Sequence, residues 1–333
     1  MLQRWLVGLM GAIALAAVLW GHEARATWSE EDFAQRVANN YPFTAPGRGD
    51  ERTVIGDLGT WVVRPGDTVL DVGRHFDLGY NEMTGANPGV EPWLPPPGEV
   101  LLIPTAYVLP EARYDGIVVN IPEMRLYYFH GADKRGEGGQ VTTYPVGLGR
   151  DDWRTPTGSF KVRGKTERPT WVIPESIRAE HIRERGDDRK EIAGGDPDNP
   201  LGLYRLELTL PLYMLHGSNM PWGVGMQVSH GCIRLYNEDI VLLFNAVRVG
   251  TPGEFVYEPV KVGMRDGTVY VEVHPDIYQL HPNGLAADAD ALLAKRGWAD
   301  RVDRERLRQA LEEQSGVPMA ISRDASLETA AAN

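Results

Sequence analysis

From Gly116 to Leu215 the chain runs as short β-branched and aromatic segments, each stopped by glycine, proline or a polar turn. This alternation restricts the fold more than any other feature. Ile117-Val118-Val119-Asn120-Ile121, Arg125-Leu126-Tyr127-Tyr128-Phe129, Val141 to Val146, Ser159-Phe160-Lys161-Val162, Tyr204 to Leu208 and Tyr213 to Leu215 read as strands. Strands at this spacing predict a mainly β fold, a sandwich or barrel. Val256 to Val260 and Val269 to Val273 read as closing strands. Residues 164–200 interrupt the series with a long, charged, Gly/Pro-rich connection. A connection of that length is expected either to wall or cover a substrate cleft or to be a disordered insert.

Helices are predicted in three places. Thr68 caps one that carries Val69, Val72 and Phe76 at helical spacing, inside a compact segment bounded by the strands Thr60 to Val63 and Val100 to Ile103. A second begins at Asn237 as N-cap, with Glu238 and Asp239 at the positive end of its dipole and Ile240, Leu243, Phe244 and Val247 as its apolar stripe. From about Ala286 the chain is helical, charged and Ala-rich, and the tail from about Gly316 is expected to be disordered. A short helix is also expected around Glu30 to Val37.

The first residues read as an address. Arg4 precedes an apolar run from Trp5 to Trp20, and Ala24-Arg25-Ala26 has the small-residue pattern of a signal-peptidase site. The run is shorter than the roughly 20 residues that span a bilayer. Export to the periplasm with cleavage after about Ala26 is the expectation. The expected units are a signal peptide (1–26), a linker with a short helix (27–59), the compact segment (60–106), a β domain (115–260), and closing strands, helices and polar tail (261–333).

A net charge of -12 offers no basic face for phosphates and argues against a nucleic-acid partner. The chain has one cysteine, Cys232. Exported cysteines usually pair, so this one is a buried inert thiol, an intermolecular link or a reactive group. Its neighbours narrow the choice. His216-Gly217-Ser218 ends one strand, and Ser229-His230-Gly231-Cys232-Ile233-Arg234-Leu235 follows a Gly-rich loop, Asn219 to Gly225. A thiol with a free pKa near 8.5 needs a base to act as a nucleophile, and an imidazole can take the proton and hold the ion pair. In extended chain His230 and Cys232 share a face. A hairpin-like return would bring His216 opposite Cys232. Gly231 permits close backbone approach, and amides around Gly231 and Cys232 could donate to an oxyanion. Three arrangements stay open on this ground: an inert thiol with structural histidines, a zinc site of His216, His230 and Cys232, and a Cys/His nucleophile pair.

The string His216-Gly217 with Ser229-His230-Gly231-Cys232-Ile233-Arg234-Leu235 resembles the signature of the L,D-transpeptidase (YkuD-type) catalytic domain. Tyr144-Pro145-Val146-Gly147-Leu148-Gly149, Arg154-Thr155-Pro156-Thr157-Gly158, Asn237-Glu238-Asp239 and Gly250-Thr251-Pro252 extend the match. Arg234 stands where many members carry Asn, as in the ErfK/YbiS-like periplasmic group. Val63-Arg64-Pro65-Gly66-Asp67-Thr68, Gly85-Ala86-Asn87-Pro88 and Gly98 to Pro104 resemble a LysM module, a small β-α-α-β unit that binds N-acetylglucosamine-containing glycans. The resemblance implies an L,D-transpeptidase-type sandwich with one helix after the cysteine. It implies Cys232 as nucleophile and His216 as proton donor/acceptor, oriented by the Gly217 carbonyl. His230, Gly231 and Ser229 support, and Arg234, Ser218 and Tyr213 contact substrate. The reaction implied is acyl transfer on peptidoglycan tetrapeptide stems. Cys232 forms a thioester with the meso-diaminopimelate carbonyl, D-Ala leaves, and an amine of diaminopimelate or of an outer-membrane lipoprotein lysine takes the acyl group. No metal or cofactor is implied. The competing readings are a carboxypeptidase or amidase that uses water, and an inactive peptidoglycan-binding protein.

Overall fold

The computed structural model describes residues 28–34, 39–45, 51–131 and 138–323. The expected signal peptide (1–26) and the last tail residues from 324 lie outside the described residues, as do residues 35–37 of the expected N-terminal helix, which is seen as Glu30–Ala34.

Six of the expected strands join three that were not expected, Asn40–Thr44, Pro252–Val256 and Ile233–Arg234, in one nine-stranded mixed sheet. Its order is Asn40–Thr44, Gly138–Pro145, Arg125–His130, Gly116–Asn120, Pro252–Val256, Gly158–Glu167, Tyr204–Leu208, Met214–His216 and Ile233–Arg234. Val256 to Val260, expected as a closing strand, is instead the break at Pro259 between Pro252–Val256 and Val260–Arg265. The long strand Gly158–Glu167 makes the corner. Residues Gly158 to Lys161 pair with Pro252–Val256, and residues from Val162 onward pair with Tyr204–Leu208 after a register shift between Val162 and Gly164. A bulge at such a place bends a strand from one layer to the next. The two layers of the sandwich are therefore halves of one hydrogen-bonded sheet.

Strand Gly116–Asn120 is buried along its whole length because both faces are covered. Ile117 and Val119 enter one core with Phe160, Leu206, Leu215, Ile233 and the helix Asn237–Ala246. Val118 faces the other way, into a second core shared with Val72, Leu78, Met83 and Leu101. That second core belongs to a β-α-α-β unit: strand Gly59–Val62, helices Val69–His75 and Tyr80–Ala86, and strand Val100–Ile103, the two strands paired antiparallel. Thr68 caps the first helix as predicted, accepting from Asp71 N–H at 3.0 Å.

Three local expectations change. The N-cap of helix Asn237–Ala246 is Tyr236, because the Asn237 side chain is used elsewhere. The 164–200 connection is ordered: helix Glu175–Arg185 and a short ladder of Trp171–Val172 with Glu191–Ile192 enclose a small core of Ile173, Ile177 and Ile192. The tail from Gly316 is not disordered through Arg323. Met319–Ala320 adds a third strand to the hairpin Val260–Arg265/Thr268–Val273, and Ile321 is buried with Leu293, Trp298 and Leu307 in a C-terminal core. Apolar residues at 319 and 321 give that segment a reason to pack.

Candidate active site

His216 ends the strand Met214–His216, which runs parallel to Ile233–Arg234 with His216 opposite Arg234. Side chains two apart on a strand share a face. Cys232, two residues before Arg234, therefore emerges on the face that carries His216. The connection between them is parallel, not the hairpin-like return expected. It runs through Gln227–Ser229, which pairs with Leu148–Gly149.

The His216 ring is 3% exposed. Its Nδ1 lies 2.7 Å from the Gly217 carbonyl, and a carbonyl can only accept, so Nδ1 carries the hydrogen and Nε2 the lone pair. Burial, with the Arg234 charge as a smaller cause, pushes the imidazole down to about 3. The half-buried Cys232 has its thiol pushed up by desolvation, opposed by a backbone hydrogen bond with Met214 and by Arg234. Both shifts favour a neutral thiol and a neutral imidazole in place of the expected thiolate–imidazolium pair. Cys232 Sγ also faces the Leu212 carbonyl at 3.8 Å. Leu212 sits at φ 71°, a conformation costly for a non-glycine residue, and is 89% exposed.

The turn before Cys232 is built around Gly231 at φ 101°, where a Cβ would come 3.1 Å from the Tyr213 ring. That conformation ends the extended run assumed for His230 and Cys232. The His230 Nε2 instead lies 3.0 Å from Glu180 Oε2, and its ring packs edge-on to Trp153. Ser229 is buried and staples the turn: its hydroxyl donates to the Cys232 carbonyl at 2.6 Å and accepts from Gly231 N–H at 3.1 Å. The Gly231 amide is therefore committed to Ser229 rather than aimed at an oxyanion. Ser218 is equally committed. Its hydroxyl donates to the Met220 carbonyl and accepts from Met220 N–H, at 3.0 and 2.9 Å. The Asn237 amide holds the Ser218 backbone from both sides, at 3.1 and 2.8 Å. The Tyr213 hydroxyl donates to the Arg154 carbonyl at 3.3 Å. The Arg234 charge acts on both Cys232 and His216, and its buried Nε has no hydrogen-bond partner among the described residues.

Further residues, given no role from sequence, support the site. Thr155 Oγ1 donates to the Gly231 carbonyl at 3.2 Å and accepts from Gly149 N–H at 3.3 Å. The Tyr278 hydroxyl, from beyond the expected β domain, accepts from Thr155 N–H at 3.1 Å. Gly147 exchanges both backbone hydrogen bonds with Arg234, at 2.8 and 2.9 Å. Gly147, Gly149 and Thr155 lie in the matched segments, whereas the Tyr278 and Glu180 contacts carry no local signal.

For the zinc alternative, Nδ1 of His216 and Nε2 of His230 already have protein partners. Among the described residues, the set that clusters metal-ligating atoms is Glu123, Glu272 and His274. There the Lys261 ammonium bonds both carboxylates at 2.8 and 2.7 Å, supplying the positive charge itself.

The L,D-transpeptidase catalytic domain family (YkuD) matches residues 114–262. A probable L,D-transpeptidase of Escherichia coli, YbiS, is 37% identical over 74% of this chain and 81% of its own length. YcfS of the same organism, also a probable L,D-transpeptidase, is 33% identical over 86% of this chain and 89% of its own. ErfK/SrfK of Salmonella typhimurium, described likewise, is 36% identical over 86% and 92%. With relatives aligned across most of both chains and the matched domain spanning every residue of the cysteine–histidine site, this chain belongs to the L,D-transpeptidase family.

Proposed function

We propose that the protein is an exported enzyme that transfers acyl groups between peptidoglycan peptide stems through a thioester on Cys232. The observation that carries this is the parallel pairing that sets Cys232 and a neutral, carbonyl-oriented His216 on one face. In the first step Nε2 of His216 takes the Cys232 proton as sulfur bonds to the carbonyl carbon of the third stem residue. The amide C–N bond then breaks, and the proton passes from His216 to the leaving D-Ala amine. In the second step an incoming amine attacks the thioester, the C–S bond breaks, and a proton returns to the sulfur. Arg234, half-buried and with its buried Nε unpartnered, suits a substrate carboxylate near the reacting carbonyl. The acceptor amine is that of diaminopimelate or a lipoprotein lysine; water would give trimming instead.

The LysM resemblance of residues 60–106 adds a glycan partner to this reading. Trp93 of that unit and Trp222 of the loop between the motif histidines are 50% and 52% exposed and line one groove with Thr68 and Asp71. Half-exposed aromatic faces beside polar groups suit a sugar ring. The deciding experiment is incubation of the mature chain with purified sacculi, followed by mass spectrometry of the muropeptides. Cys232→Ala is expected to abolish D-Ala release and His216→Ala to lower it by at least about 100-fold. Cross-linked dimers identify an amine acceptor and trimmed monomers identify water. D-Ala release by Cys232→Ala at the wild-type rate sinks the proposal.

A further inference from the structure

Glu180 belongs to neither the motif nor the β domain's sheet, yet it reaches the motif. Its two carboxylate oxygens accept from Arg150 Nη1 and Nη2 at 3.2 Å each, and Oε2 also lies 3.0 Å from His230 Nε2. It sits on helix Glu175–Arg185, inside the excursion that leaves the sheet after Glu167 and rejoins it at Tyr204. The far end of the same excursion touches the other histidine. The Pro200 carbonyl faces the His216 ring, and Gly202 packs so closely on the next residues that a Cβ there would come 2.8 Å from Ser218 N. One excursion therefore contacts both motif imidazoles, from elements far apart in sequence.

We propose that Glu180 is a positioning residue for the reaction at Cys232: it accepts the Nε2 proton of His230 and the Arg150 fork together, fixing the His230 ring and fastening the excursion to the turn that carries the nucleophile. The consequence for acyl transfer rests on the function proposed above; the geometry does not. An exposed ion pair would contribute little, but a forked guanidinium and an imidazole converging on one part-buried carboxylate set its orientation. Arg150 and His230 hold the Glu180 carboxyl down at about 2, so it remains an acceptor at any working pH. Around it stand Asp152, which pairs with Arg150 at 2.9 Å, and His181, Arg185 and Asp187 of the excursion itself. The fixed ring in turn packs on Trp153, whose carbonyl lies against Gly149 and Gly231.

The test uses the full mature chain with ¹⁵N-histidine NMR, amide hydrogen exchange and carbapenem acylation of Cys232. In the wild type His230 is expected in the Nε2–H tautomer. Glu180→Ala is expected to mix the tautomers and to speed exchange across 170–195 about tenfold. It is also expected to slow acylation about tenfold, the cost of a misplaced site. Glu180→Gln, whose Oε1 still accepts, is expected to keep the tautomer and part of the rate. An unchanged tautomer in Glu180→Ala overturns the proposal, whether or not exchange rises. If the wild type itself is not acylated, the acyl-transfer reading fails, while tautomer and exchange still decide the role of Glu180.

Discussion

A thiol pushed up by desolvation and an imidazole pushed down to about 3 do not trade their proton at rest. Both shifts have the same origin, since burial disfavours the charged form of each group. In the proposed reaction His216 then serves as base only as the thiol begins to bond, and the imidazolium exists only while the carbonyl carbon is being attacked. The sign of the pH dependence follows. A preformed ion pair would leave the sulfur reactive on a plateau reaching down below pH 6. A neutral pair leaves it unreactive there, and reactivity rises only as the thiol ionises, above its ordinary value of about 8.5. Alkylation of Cys232 by iodoacetamide is expected to climb through the alkaline range with no plateau between about pH 4 and 8. A thiolate signal near 240 nm at pH 6 would contradict this. At this scale the sequence was informative where chemistry and chain position coincide. Cys232, His216 and the Gly217 carbonyl lie within one motif. Glu180 meets His230 across a separation of 50 residues, and nothing next to Glu180 in the chain distinguishes it from the other acidic residues of its helix.

Among the elements, the loop 217–226 depends on the start of a helix. Asn237, the first residue of helix Asn237–Ala246, gives up its capping role to hold both backbone groups of Ser218. Propensity favours Asn at an N-cap, and here tertiary packing prevails by one position. Asn237→Ala is expected to cost about 1–3 kcal/mol for the two part-buried hydrogen bonds. It should also speed hydrogen exchange in the loop while leaving exchange of the sheet unchanged. Asn237→Asp restores only the bond from Ser218 N–H, so an intermediate loss in thermal unfolding is the expected result, and equal losses in the two variants would show that the side chain acts by packing alone. The same contrast explains what was legible in the fold. The strands were readable because their β-branched and aromatic runs end at turn residues, and strand Tyr204–Leu208 falls where it was expected. Helix Glu175–Arg185 was not, because Ile177 and Ile182 are its only large apolar residues and they do not make a stripe. The bend in Gly158–Glu167 has no signal beyond Gly164, and a lone strand glycine is consistent with a bulge without requiring one.

The whole molecule is joined through buried charge rather than through linkers. Arg125, on the central sheet, bonds Glu82 and the Asp77 carbonyl of the β-α-α-β unit at 2.7 Å each. Tyr80 and Asn81 of that unit bond Val224 and Gly225 of the loop between the motif histidines, at 3.1 and 3.3 Å. On the opposite side Lys261 reaches Glu123 of the sheet domain and Glu272 of the C-terminal hairpin, and Glu272 also accepts from Val108 N–H at 2.5 Å. His274 bonds Glu272 at 2.6 Å, and Tyr127 donates to Glu123. The groups converge where three units meet, so a variant here tests whether the units unfold together. Lys261→Met keeps the length of the stem and removes the charge. It leaves Glu123 and Glu272 buried against each other with their main cation gone, a situation that costs about 3–5 kcal/mol when one partner of a buried pair is deleted. Replacing all three as Lys261→Met, Glu123→Leu and Glu272→Leu removes the uncompensated charges but leaves Val108 N–H, the Tyr127 hydroxyl and His274 without these acceptors, so only part of that loss is expected to return. Because Tyr278, four residues beyond His274, holds Thr155 beside Gly231, Lys261→Met is also expected to lower Cys232 acylation under conditions where the sheet domain is still folded. Denaturant unfolding followed by intrinsic fluorescence, with acylation measured along the same curve, separates the cases. Loss of acylation before loss of the sheet means that the C-terminal unit sustains the site through Tyr278, whereas coincident loss means that the three units form one cooperative body.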